Sequence, residues 1–111
     1  MFIGGNWKLN GDRATLNALA NEIATATNDI KNVDIVLFPP FVYLDCIGQT
    51  LNKTHIALGA QNQANVEQGA FTGEVAPGMV KDIGCQYVLL GHSERRHVYH
   101  ETNETITEKM A

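Results

Sequence analysis

Short apolar runs along the chain alternate with stretches in which apolar residues recur every three or four positions. FIGGNWK (2–8) reads as a strand, and the turn LNGD follows it. Leu16, Leu19, Ile23 and Ala26 then fall at helical spacing. VDIVLFPP (33–40) is a second strand, and its two prolines must end it because proline cannot extend a central strand. Phe41, Leu44, Asp45 and Ile47 begin a second helix, HIALGAQN (55–62) makes a third strand, and APGMVKDIG (76–84) makes a third short helix. In that helix Pro77 stands near the start and Gly84 past the end. QYVLLG (86–91) is the fourth strand, and TNETITEKMA (102–111) opens a fourth helix capped by Thr102 or Asn103, with glutamates in its first turn.

Strands alternating with helices in this way indicate an α/β chain of right-handed βαβ units on a parallel sheet. The apolar cores VDIVLF and YVLL predict strands covered on both faces. Two architectures share the pattern: an open doubly wound sheet, or the first half of an eight-stranded (β/α)8 barrel. No GxGxxG follows the first strand, so the sequence mark of a dinucleotide-binding sheet is missing. Residues 1–111 read as one domain, with the helical pattern from Ile106 to Ala111 lacking a stop signal, as in a barrel half cut within its fourth helix.

Composition narrows the function classes. A formal net charge of −4 with 44% hydrophobic residues fits a globular protein and argues against nucleic-acid or membrane-surface partners, which favour basic patches. No apolar run approaches the roughly 20 residues of a membrane span, and the start of the chain does not resemble a signal peptide. Cys46 and Cys85 are far apart and form no CxxC pair, which predicts free, buried thiols and a cytoplasmic location.

Three features at the carboxyl ends of strands carry candidate chemistry. Alternation along the first strand sets Asn6 and Lys8 on one side and Trp7 on the other, giving a fixed cation for an anionic ligand or a lysine reaching for solvent. GHSERRHVYHE (91–101) sets His92 directly after a strand, with Ser93 and Glu94 placed to cap and open a short helix. The helix macrodipole disfavours a cationic imidazole there, so His92 is expected to act as a neutral donor. A rival use of the same stretch is a metal site from His92, His97, His100 and Glu101, although no familiar zinc spacing is present. The connection 61–78 exceeds the usual loop length of about 12–15 residues, and Phe71 at its Gly-rich tip points to docking against a partner.

Together GGNWKLNG, AQNxxxxxxGAFTGE and YVLLGHSERR resemble the triosephosphate isomerase family, in this order and across the whole chain. The resemblance implies a homodimeric (β/α)8 barrel that interconverts dihydroxyacetone phosphate and glyceraldehyde 3-phosphate in glycolysis and gluconeogenesis, without metal or organic cofactor. It implies Asn6 and Lys8 as the substrate-contacting pair, His92 as the electrophile, and Ser93 and Glu94 beside it, with Glu94 within reach of Lys8. It also implies dimerisation through the loop 62–78: Thr72 reaches the partner subunit's site beside Phe71, and Glu74 and Arg95 pair across the contact. The family's glutamate base and phosphate-gripping loops lie beyond Ala111, so these 111 residues alone are expected to be inactive. The competing expectation is a stand-alone half-barrel with a binding or assembly role.

Overall fold

The apolar runs become parallel strands in a computed structural model that describes residues 1–111. The strands are β1 (Phe2–Asn6), β2 (Asp34–Phe38), β3 (Ile56–Ala60) and β4 (Cys85–Val88), ordered β1-β2-β3-β4 in one sheet. The helices are α1 (Arg13–Ala26), α2 (Leu44–Leu51), α3 (Pro77–Asp82), α4 (Ser93–His97) and α5 (Asn103–Met110), with a 3-10 turn at Phe41–Tyr43 before α2. A doubly wound sheet reverses its strand order at a switch point, whereas this order runs in one direction, as in the first βα units of a barrel. The sheet also curls. Flat strands about 4.8 Å apart would hold β1 and β4 some 14 Å from each other, yet the rings of Phe2 and Tyr87 meet at 5.3 Å.

Alternation divides the side chains between two faces. Ile35 and Leu37 of β2 and Ile56, Leu58 and Ala60 of β3 share a buried cluster with Leu16 and Ala20 of α1, Leu44, Ile47 and Leu51 of α2, and Val80 of α3. Each fully buried large aliphatic side chain in such a cluster contributes roughly 1.5–3 kcal/mol. On the other face Val36 and Phe38 are buried as well. Phe38 fits there because Gly4 and Gly59 flank it: a Cβ on Gly59 would stand 2.3 Å from the ring, and one on Gly4 3.2 Å.

The helical stripes follow the core rather than the first apolar pattern that meets the eye. α1 buries Leu16 and Ala20 while Leu19 and Ala26 are exposed. At 100° per residue Leu19 and Ala26 lie roughly 60° and 80° from Leu16 on the same flank, off the contact line. Asp12 caps α1, its Oδ1 accepting from the Thr15 N–H at 2.8 Å, and this bond holds its carboxyl below the usual range. Thr102 caps α5 by accepting from the Thr105 N–H.

YVLL departs from the expectation of two covered faces. β4 has one neighbouring strand, and Gln86 and Tyr87 are exposed; on the opposite edge Phe2 and Ile3 are half-exposed. β2 is buried as its apolar run predicted, and β3, likewise paired on both sides, is buried as well. The two cysteines are free but half-buried rather than enclosed, and desolvation pushes the Cys85 thiol up to about 11. No helix is long and apolar enough to cross a membrane.

Gly59→Ala should destabilise the fold by about 1–3 kcal/mol, the usual range for overpacking a close-packed site. A lower urea midpoint at unchanged slope is the expected result, and an unchanged midpoint would mean that Phe38 moves aside freely.

Candidate functional site

The chain leaves β1 at Asn6, and Trp7 still donates to the Phe38 carbonyl at 3.2 Å before the strand conformation ends. Trp7 packs against the core under the helices. Lys8 then turns into the left-handed region with φ 55°, a conformation that costs a non-glycine residue roughly 1–2 kcal/mol. Strand alternation therefore does not orient Lys8, contrary to the expectation from the sequence. A local turn does: the Asn6 Oδ1 accepts from the Lys8 N–H at 2.9 Å. Asn10 secures the next residues by donating from Nδ2 to the Trp7 carbonyl at 3.0 Å.

His92, after β4, is itself the N-cap of α4, with extended backbone and Nδ1 accepting from the Glu94 N–H at 3.1 Å. Ser93 is the first helical residue and is exposed, so it opens the helix without capping it. The reason is reach: the imidazole can bend back to the second helical N–H, as cap side chains do. With the Nδ1 lone pair engaged by a backbone donor, the ring proton sits on Nε2, and the contact of Nδ1 with Glu94 Oε1 at 3.5 Å cannot be a donor–acceptor pair in that tautomer. Glu94 instead meets Lys8, with Oε2 3.3 Å from Nζ. Both side chains are half-exposed, so this pair orients more than it stabilises.

Asn6, Lys8, Gln61, His92, Glu94 and Arg95 line one cleft of about 520 Å3 at the carboxyl rim of the sheet. A second cleft of about 550 Å3 lies at the opposite ends of β3 and β4, lined in part by Asp45, Lys53 and Asp82, and contains none of the residues singled out above. Gln61, in the segment AQN at the end of β3, adds a polar group to this cleft. Its Nε2 donates to the Lys8 carbonyl at 2.9 Å and to the Phe38 carbonyl at 2.8 Å. Only the tertiary placement of β3 beside β2 brings these acceptors together, so sequence spacing held no signal for it.

Beside the cleft lies a charged cluster. Lys109 of α5 binds Glu101 through Oε2 and donates to Asn62 Oδ1 at 2.9 Å, and the Arg95 guanidinium stands 3.5 Å from the same Glu101 oxygen. Arg95 also lies over the Tyr99 ring at 4.8 Å. Arg96 donates to the Gly91 carbonyl at 2.8 Å and to Asn103 Oδ1 at 2.7 Å, tying α4 to the start of α5. Glu101 is thus held by two cations, and α4 ends at His97, so His97 and His100 do not share a helical face. No three His, Cys, Asp or Glu side chains come close enough to hold a metal ion.

The connection 61–78 is ordered at its root. Ala64 donates to the Val75 carbonyl at 2.8 Å, and the buried Gln63 donates to the Lys109 carbonyl at 2.9 Å. Its tip carries Phe71, Thr72 and Glu74 into solvent. Arg95 is engaged within its own chain by Glu101.

A one-way parallel βα sheet with a polar cleft at its carboxyl rim defines the class as a barrel-type α/β protein. Comparison with known proteins identifies the group within that class. The family model for triosephosphate isomerase matches residues 1–111, and the chain belongs to that family. It is 44% identical over 111 residues to the triosephosphate isomerase of Hydrogenovibrio crunogenus (strain DSM 25203 / XCL-2), covering 99% of this chain and 44% of that relative. The chain therefore spans less than half the length of this relative.

Burial alone would raise the Glu101 carboxyl, but the hydrogen bond and charge of Lys109, with the charge of Arg95, hold it below its ordinary value of 4.5. A folded value below the unfolded one means stabilisation that is present above the unfolded value and lost as pH falls through the folded value. Glu101→Gln should cost about 3–5 kcal/mol near neutrality, because Lys109 is left buried without its counter-charge. Urea midpoints of both proteins should draw together as the pH falls below 4.5 and through the lowered folded value of the carboxyl, and a gap independent of pH would contradict the pairing.

Proposed function

We propose that the intact protein carrying this chain is a triosephosphate isomerase, an aldose–ketose isomerase acting on dihydroxyacetone phosphate and D-glyceraldehyde 3-phosphate in glycolysis and gluconeogenesis. The observation that carries the reading is the convergence of Lys8 and His92 in one cleft of a chain from this family. The substrate is an anion, and removal of a carbon-bound proton adds negative charge on its oxygens as the enediolate forms. Lys8 supplies a fixed positive charge to that anion, with Asn6 holding its backbone. His92 presents Nε2–H, so it donates to the carbonyl oxygen and can pass a proton between the two oxygens; the neutral-histidine strategy is the handed-down pattern of this enzyme class. Glu94 orients Lys8, and Ser93 supports the turn that carries His92.

The base is a further requirement. Glu94 is engaged by Lys8 and Glu101 is enclosed by Lys109 and Arg95, so neither is free to remove a carbon proton. Residues 1–111 by themselves therefore bind weakly and do not turn over in this reading, with the base and the phosphate grip supplied by sequence outside them. The exposed tip of the loop 62–78 is the dimer contact. Phe71 supplies apolar area, Thr72 reaches the partner subunit's site, and Glu74 with Arg95 supplies charges across the contact. Two free cysteines support a reducing, cytoplasmic setting.

In the intact protein, Lys8→Ala should lower kcat/KM by about 10²–10³-fold, the scale of one preorganised electrostatic group, with far-UV circular dichroism unchanged. An active Lys8→Ala enzyme would remove the site assignment. Joint replacement of Phe71 by Ala and Thr72 by Gly should weaken dimerisation and lower activity together, measured by sedimentation and turnover. A fully active monomer would contradict the docking role of the loop.

A further inference from the structure

We infer that Gln61 is a positioning residue that holds Lys8 at the cleft, acting through the Lys8 backbone; the inference rests on the reading of Lys8 as the cation that meets the substrate. Lys8 occupies the left-handed region without being glycine. Such a conformation persists only where its surroundings over-determine it. Here both polar groups of the residue are occupied: its N–H by Asn6 Oδ1 and its C=O by Gln61 Nε2. Asn6 precedes Lys8 on the same strand end and can restrain it only locally. Gln61 lies at the end of β3, two strands away, and its second Nε2 proton goes to the Phe38 carbonyl that ends β2. One amide nitrogen thus joins the carboxyl ends of β2 and β3 to the turn that follows β1.

The chemistry requires a primary amide of this length. Two carbonyl oxygens within reach of one atom need two protons on that atom, which a glutamine nitrogen has and a carboxylate lacks. The same two acceptors settle the orientation of the amide, because its oxygen in that place would face both carbonyls. An asparagine is one methylene too short to span the same gap. The Lys8 side chain is half-exposed and meets Glu94 directly at 3.3 Å, so Glu94 orients the ammonium while the backbone tether fixes where the side chain starts.

The test uses the intact native protein with Lys8→Ala, Gln61→Met and the double variant, each assayed for kcat and KM. Gln61→Met should raise KM and lower kcat/KM about 10-fold or more. In the Lys8→Ala background the same substitution should change kcat/KM by less than about 2-fold, because a residue acting through Lys8 has nothing left to position. Equal losses in both backgrounds, or unchanged kinetics for Gln61→Met, would overturn the inference while leaving the site intact. An unimpaired Lys8→Ala enzyme would instead overturn the reading of Lys8 on which the inference rests. Should Gln61→Met fail to fold, Gln61→Glu decides the matter. Its carboxylate has no proton to donate and its acid form has one, so its activity relative to the wild type should rise as the pH is lowered. A ratio that stays flat with pH would overturn the role.

Discussion

Two parallel strands cannot be joined by a tight turn, so each strand is reached by a crossover and all four carboxyl ends open on one rim. That constraint puts the residues after β1, β3 and β4 side by side although more than 80 positions separate Lys8 from His92 in the chain. At the rim the strand hydrogen bonds run out, and the freed backbone groups must be paired by side chains. Asn6, Gln61 and the imidazole of His92 do so, for the Lys8 N–H, the Lys8 carbonyl and the Glu94 N–H respectively, and Gln61 adds a second donor to the Phe38 carbonyl, which already accepts from Trp7. The groups that shape the cleft are therefore the same groups that finish the sheet.

A second layer of polar contacts supports the rim from outside. α5 is the most polar of the longer helices, yet its Lys109 is buried because Glu101 and Asn62 surround the ammonium. Through Gln63 and Asn65 the same helix ties down the root of the long loop, by bonds to the Lys109 carbonyl and the Glu108 carboxylate. A loop of this length pays a large conformational cost if free, and anchoring both ends confines the freedom to its tip. Phe71 and Thr72 at that tip stay exposed to solvent.

The places where the linear pattern misleads share a cause. Leu19 and YVLL are apolar, but apolarity is a preference for burial and does not say which neighbour will supply it. Leu19 falls off the contact line of α1, and β4 has no second strand beside it among these residues. Ser93 is a good capping residue, but the backbone enters α4 one position earlier and the cap is His92. The strand alternation that correctly divides Ile35 and Leu37 from Val36 and Phe38 stops at Asn6, before it can orient Lys8.

Local chemistry was therefore readable from the residues alone: prolines that stop β2, threonine and glycine at helix ends, apolar runs for β2 and β3, and motifs at strand ends that mark the family. Each of these depends on neighbours within a few positions, where geometry follows from the backbone. The tether of Lys8 to Gln61, the enclosure of Lys109 by Glu101 and Asn62, and the fit of Phe38 between Gly4 and Gly59 were decided only by the fold. They join residues distant in sequence, and only sheet order, curl and register bring those residues within bonding distance.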